Sequence, residues 1–320
     1  MATLRPLGTS DLAVFPLALG GNVFGWTADE KQSFAVLDAY TAAGGNHLDT
    51  ADVYAAWIDG LKGGESETVL GKWLAARGNR DKVIVSTKVG MHPDYQGLSA
   101  STIKAAAEQS LRRLGVDHID LYYSHYDDPS VPVEEIVTAL DDLVKAGKVR
   151  AVAASNLSAE RLRESLDFAE RENLARYVAI QPEYNLVSRD TYEGALQDTV
   201  EQAGLSALPY YGLAAGFLTG KYRPGVAVDS ARAGLAAGHV STERGVAVLG
   251  ALDTVAEAHG AELATVALAW LLTRPTVVAP IASARNLEQL PALLAVQDLT
   301  LTAEDIRLLT EASAVGAPSS

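Results

Sequence analysis

The sequence predicts a (β/α)8 TIM barrel with an N-terminal β-hairpin and extra C-terminal helices. Three observations lead there. Short apolar, β-branched runs alternate with longer helical patterns along most of the chain, the signal for repeated βαβ units and a parallel sheet. Eight strand candidates can be counted, and the fingerprint of the rival doubly wound sheet, a first strand running into GxGxxG, is absent. A chain of 320 residues suits one such barrel, so residues 1–320 are read as a single domain.

The elements follow in order. Residues 4–7 and 12–16 form the hairpin, turning at residues 8–11. Strand candidates lie at residues 17–19, 46–48, 83–87, 119–124, 149–154, 177–180, 205–208 and 277–281. Helical patterns between them cover residues 29–43, 66–76, 101–114, 133–145, 159–172 and 190–203. Ser101 and Ser158 are placed to cap the helices that follow them, and Gly147 to end the helix before Val149. Residues 210–241 lack periodicity and are rich in Gly and Ala, which reads as a long functional or mobile loop. Helices at residues 242–259, 262–273 and 303–312 complete the chain, the last opening on the capping box Thr302-Ala303-Glu304-Asp305. Residues 315–320 read as a frayed tail.

The formal net charge of −14 argues against nucleic acid as a partner, although a few gathered cations and helix N-termini can still hold one anionic cofactor. There is no cysteine, hence no disulfide framework, thiolate nucleophile or Cys-based zinc site. The six histidines form no His-x-His or HExxH arrangement, so no metal is expected, and a metal-dependent barrel hydrolase is a poor fit. No apolar run reaches the eighteen residues of a membrane span. The chain therefore reads as cytoplasmic, without a membrane partner.

Active sites of (β/α)8 barrels lie at the C-terminal ends of the strands. Asp49 closes the second strand candidate, Tyr54 follows five residues later, Lys88 closes the third and His125 the fourth. Singly, each has an ordinary structural explanation: an Asp capping a turn, a solvated Lys, a core His bonded to a backbone carbonyl. Together they form a chemical set.

At these residues the sequence resembles the aldo-keto reductases, and the resemblance spans nearly the whole chain. It is carried by Leu48-Asp49-Thr50-Ala51-Asp52-Val53-Tyr54, Gly64-Glu65-Ser66-Glu67, Ser86-Thr87-Lys88 and Gly147-Lys148-Val149-Arg150 followed by Ser155-Asn156-Leu157. Further matches are Gln181-Pro182-Glu183-Tyr184-Asn185, Gly216-Phe217-Leu218-Thr219-Gly220-Lys221-Tyr222 and Pro280-Ile281-Ala282-Ser283-Ala284-Arg285. The resemblance implies hydride transfer between NADP(H) and a small-molecule carbonyl or alcohol, with Tyr54 as proton donor. Lys88 would lower the phenol's pKa from its ordinary value near 10, Asp49 would hold the lysine charged, and His125 would orient the substrate oxygen.

By the same resemblance Ser155, Asn156 and Gln181 grip the nicotinamide carboxamide, Tyr210 stacks on its ring, and Gly21, Asn22, Tyr211, Gly212 and Leu213 border the cofactor. Leu218, Gly220, Lys221 and Arg223 fit a pyrophosphate clamp, in which glycine allows close backbone approach and the cations meet the oxygens. Ser283, Arg285 and Gln289 stand where a final helix is expected to start, which suits a 2′-phosphate and favours NADP over NAD(H) as a weaker alternative. Two departures from the family pattern bear on phosphate and adenine contacts: Tyr211-Gly212 replaces a usual Ser-Pro, and Leu293 stands where Asn is common.

Val23, Phe24, Trp26, Trp57 and Tyr126 are candidates for apolar walls of a substrate pocket. Residues 55–64 would form a lip over it, and residues 225–238 a loop folding over the pyrophosphate. The rival reading is a catalytically weak NADP(H)-binding regulatory or accessory subunit, because related barrels accompany membrane channels.

Overall fold

The computed structural model describes residues 3–226, 228 and 233–314. A two-stranded antiparallel hairpin comes first, β1 (Arg5–Pro6) with β2 (Ala13–Val14), as the sequence predicts. The barrel begins with β3 (Ala18–Gly20), α1 (Glu30–Ala42), β4 (His47–Asp49), α2 (Glu65–Arg77) and β5 (Ile84–Val89). A small antiparallel pair, β6 (Met91–His92) and β7 (Tyr95–Gln96), precedes α3 (Ala100–Leu114) and β8 (Ile119–Ser124). Next come α4 (Val133–Lys145), β9 (Val149–Ser155), α5 (Ala159–Arg171), β10 (Tyr177–Gln181), α6 (Ala195–Gln202) and β11 (Ser206–Ala207). The chain ends with α7 (Ala233–Val240), α8 (Glu243–His259), α9 (Leu263–Leu272), β12 (Ile281–Ala282), α10 (Leu290–Leu294) and α11 (Ala303–Ala314).

Among the described residues, eight parallel strands pair in the order β11-β10-β9-β8-β5-β4-β3-β12. The sheet closes on itself at Ala207, which forms a parallel bridge with Val277, and Ile281 N–H donates to the Pro209 carbonyl at 2.8 Å. The result is the (β/α)8 barrel expected.

Successive side chains of a strand face opposite ways, and here the two sets bury separately. Ile84, Leu121, Tyr123, Ala151, Ala153 and Ala179 point into the barrel and join Leu7, Leu12 and Val14 of the hairpin, which plugs its N-terminal end. Val85, Tyr122, Val152 and Ile180 point outward into the layer between strands and helices. A buried strand set of this kind reads as a nearly continuous apolar run, which is why the strands were legible.

Several expected boundaries move for identifiable reasons. Ser99 rather than Ser101 caps α3, its hydroxyl accepting from Thr102 N–H at 3.2 Å, whereas Ser158 caps α5 as expected. The last strand candidate is split: Val277 bridges Ala207, but the ladder with β3 forms only at Ile281–Ala282, beyond Pro280, which has no N–H to donate. The helix expected at residues 190–203 shortens to α6 because Gly194 before it has φ 94. The expected loop of residues 210–241 contains a 3₁₀ segment, Ala214–Thr219, and α7. Residues 227, 229–232 and 315–320 lie outside the described residues, and with them the frayed tail and part of the loop expected to fold over the pyrophosphate. No single helix among the described residues is long and apolar enough to cross a membrane.

Candidate active site

A cavity of about 960 Å³ opens at the C-terminal ends of the strands. Strand alternation decides what reaches it. Continuing the inward sets gives Asp49 on β4, Lys88 on β5, His125 after β8, Ser155 on β9, Gln181 on β10 and Ser283 after β12. These are the rim positions of the barrel interior, where the apolar filling gives way to polar groups.

Lys88 is fully buried, and its ammonium has three acceptors for its three hydrogens: Asp49 Oδ2 at 2.7 Å, the Thr50 carbonyl at 2.8 Å and Tyr54 Oη at 3.0 Å. Burial works against the charge, but Asp49 and Tyr54 outweigh it and hold the Lys88 pKa above its ordinary value. The second Asp49 oxygen accepts from Gln181 Nε2 at 3.0 Å. For Tyr54, burial is the largest influence and raises the phenol's pKa; Lys88 opposes it without prevailing. The ammonium thus acts on the phenol in the expected direction, but burial outweighs it and the net pKa lies above the ordinary value.

His125 lines the cavity with its ring 6.3 Å from that of Tyr54. Burial first, then Lys88, pushes its pKa well below the usual 6.5, so the ring is neutral at pH 7. Its Nδ1 is buried with no hydrogen-bond partner among the described residues. The backbone-paired core histidine is therefore not what the structure contains; instead the His125 carbonyl accepts from Asn156 Nδ2 at 3.0 Å.

Asn156 adopts φ 54, which turns its side chain into the site. Its Nδ2 also reaches Ser155 Oγ at 2.9 Å, while Oδ1 accepts from Tyr210 Oη at 2.7 Å. Ser155 Oγ in turn donates to the Gln181 carbonyl at 2.9 Å. Residues assigned to the cofactor and residues assigned to catalysis thus form one hydrogen-bonded network.

Asn22, Tyr211, Gly212, Leu213, Lys221, Ser283, Arg285 and Gln289 also line the cavity, as do Val23, Trp26, Trp57 and Tyr126. Ser283 Oγ donates to Asn22 Oδ1 at 2.8 Å, and Gln289 Oε1 accepts from Arg285 N–H at 3.0 Å. The guanidinium of Arg285 has no partner among the described residues. The helix expected to begin at Asn286 starts only at Leu290 and has five residues, so the N–H cluster expected there is not formed. Trp26 and Trp57 meet edge to face at 5.9 Å, and Tyr54 and Trp57 at 6.0 Å, which makes a continuous aromatic wall.

Six expected residues do not line the cavity: Lys88, buried behind Asp49 and Tyr54, and five others. Phe24 and Leu218 are core side chains. Gly21 is a close-packing position whose carbonyl accepts from Ser66 Oγ at 2.8 Å. Gly220 has φ 79, and its carbonyl accepts from Arg223 Nε. Arg223 is held by Asp253 through bonds of 2.8 and 2.6 Å, a carboxylate that no local motif announces.

The sequence reading missed Thr50, whose carbonyl completes the Lys88 cage and whose hydroxyl donates to Ser66 Oγ at 2.7 Å. It also missed Val53, Met91, Glu183 and Leu235, all of which line the cavity, as does Ile58 of the expected lip. Val53, Met91 and Glu183 are signalled only by nearness to a strand end, and Leu235 lies on α7.

The family model described as "Aldo/keto reductase family" matches residues 16–314. Among curated relatives, an uncharacterized oxidoreductase, YrpG, of Bacillus subtilis is 33% identical over 315 residues, covering 95% of this chain and 94% of its own. An aryl-alcohol dehydrogenase [NADP(+)] of Phanerodontia chrysosporium is 30% identical over 326 residues, covering 94% and 83%. A probable voltage-gated potassium channel subunit beta of Oryza sativa subsp. japonica is 33% identical over 296 residues, covering 89% and 88%.

Proposed function

The chain belongs to the aldo/keto reductase family, and on that premise we propose that it is an NADP(H)-dependent oxidoreductase acting on a carbonyl or the corresponding alcohol. The observation that carries this reading is the Lys88 cage, a buried ammonium held by Asp49 and Thr50 and bonded to Tyr54 at the floor of a large cavity.

A dinucleotide suits the residues present. Asn156 and Gln181 each offer an amide, Tyr210 an aromatic face, and Arg285 and Lys221 positive charge with no ion-pair partner among the described residues of an otherwise acidic protein. Arg285 supports NADP over NAD, because a guanidinium without a partner among the described residues is suited to a 2′-phosphate. When bound, the cofactor supplies or accepts the hydride.

The chain's own residues do the rest. Tyr54 Oη holds a proton for the substrate oxygen, and neutral His125 offers a second donor to the same oxygen. The Lys88 charge stabilises the phenolate left when Tyr54 gives its proton up, and Asp49 keeps that charge in place. The aromatic wall excludes water and orients the substrate.

The potassium channel relative supports a second reading, an accessory subunit that binds the cofactor and turns over little. NADPH consumption across a panel of aldehydes, ketones and oxidised sugars separates the two. Turnover supports the reductase, whereas tight NADPH binding with no turnover anywhere in the panel supports the accessory role.

A further inference from the structure

Charge is divided within the cavity. Its charged lining residues are Asp49, Glu183, Lys221, Glu262 and Arg285. Asp49 is matched by Lys88, and Lys221, Glu262 and Arg285 belong to the segments after β11 and around α9 and β12, where the cofactor's phosphates are proposed. Glu183 stands apart from these. It lies two residues beyond Gln181, on the same face of an extended chain, and pairs by a parallel bridge with Tyr210. Its carboxylate has no hydrogen-bond or ion-pair partner among the described residues. Two groups feel it: burial chiefly, then the neighbouring Tyr126 and Glu183, raise the Tyr210 phenol, and Glu183 opposes the burial that holds the His239 imidazole below its ordinary pKa and so uncharged at pH 7. Tyr126 packs on the His125 ring at 5.3 Å, so Tyr210 stands between this carboxylate and the half of the cavity that faces His125. The walls of that half, Val23, Trp26, Val53, Trp57 and Ile58, carry no cation.

We propose that Glu183 sets substrate specificity, so that the site takes aromatic carbonyl compounds that are neutral or bear an ammonium or hydroxyl donor away from the carbonyl, and discriminates against those bearing a carboxylate there. This rests on the reductase reading. A carboxylate entering this half would shed water without meeting a counter-charge and would face Glu183, whereas an ammonium would find a partner.

The test compares 4-(dimethylaminomethyl)benzaldehyde, 4-methylbenzaldehyde and 4-carboxybenzaldehyde at 0.3 M salt, which screens the long-range field of the acidic protein. In the native enzyme kcat/KM should fall in that order, with a cation-to-anion ratio of about tenfold or more. Glu183→Gln should bring the ratio close to one, and Glu183→Asp should keep the order, with NADPH affinity confirming that both variants are folded. A ratio that survives Glu183→Gln, or a native preference for the carboxylate, would overturn the proposal. If none of the three is turned over, the wider carbonyl panel tests the reductase reading by itself, and binding in the NADP⁺ complex, read by quenching of tryptophan fluorescence, decides the proposal. The same charge order, lost in Glu183→Gln, supports it; no order overturns it.

Discussion

A lysine with no exposed surface is tolerated at position 88 because each of its three hydrogens has an acceptor and one acceptor is charged. Asp52 has no such support. Both its carboxylate oxygens are buried without a side-chain hydrogen-bond partner among the described residues, and burial, then Glu67, raises its pKa well above the ordinary carboxylate range. The unfolded chain therefore loses this proton at lower pH than the folded one, so Asp52 costs stability increasingly as pH rises above about 4. Asp52→Asn should match the native protein in thermal unfolding near pH 4 and exceed it at pH 7; equal Tm values at pH 7 would contradict this. At the far end of the cavity, Arg285→Ala should weaken NADPH binding about tenfold or more and NADH binding far less, as titration of both cofactors would reveal. Asp49, Tyr54, Lys88 and His125 were legible because ionisable side chains at strand ends stand out against apolar runs. Thr50 was not, because it acts through a main-chain carbonyl, which leaves no trace in residue type.

Helix α2 shows how packing outweighs propensity. Gly71 sits in its interior, where alanine would favour the helix by about 1 kcal/mol. A methyl group there would overlap the Arg113 carbonyl and stand 2.7 Å from the Leu114 carbonyl, both backbone atoms at the end of α3. Overpacking against backbone costs about 1–3 kcal/mol, so Gly71→Ala should lower stability in denaturant unfolding despite its better propensity. An unchanged or raised midpoint would mean that α2 and α3 can separate freely. The same competition explains which elements could be read. Strands and long helices announce themselves by period, but their ends depend on tertiary detail: Pro280 interrupts the last strand, Gly194 delays α6, and Asp253 draws Arg223 away from the cavity. The small pair β6–β7 has only two residues per strand and no period to detect.

For the whole molecule, closing eight strands around one interior places several titratable groups out of reach of water. Burial pushes the His47 pKa down to about 4, and its Nε2 is bonded to Ser86 Oγ. Because the unfolded imidazole takes up its proton near 6.5, this histidine's contribution is complete above that pH and is lost as pH falls from about 6.5 towards about 4, on the order of 3 kcal/mol in all. His125, pushed the same way, adds to the trend. Stability measured by denaturant at pH 7 and pH 5 should therefore fall less in His47→Gln than in the native protein, and identical losses would contradict the burial argument. The barrel and its hairpin were legible from the sequence because their apolar runs repeat; the network joining Tyr210, Asn156, Gln181 and Asp49 was not, because it is assembled from four separate strands' ends. The central proposal, that Tyr54 is the proton donor of a carbonyl reductase, is tested most directly by kcat/KM for NADPH-dependent carbonyl reduction in Tyr54→Phe beside the native protein, with NADPH affinity measured in both. Affinity should hold while kcat/KM falls by about 10²–10⁴-fold; reduction that proceeds within about threefold of the native rate would contradict the assignment.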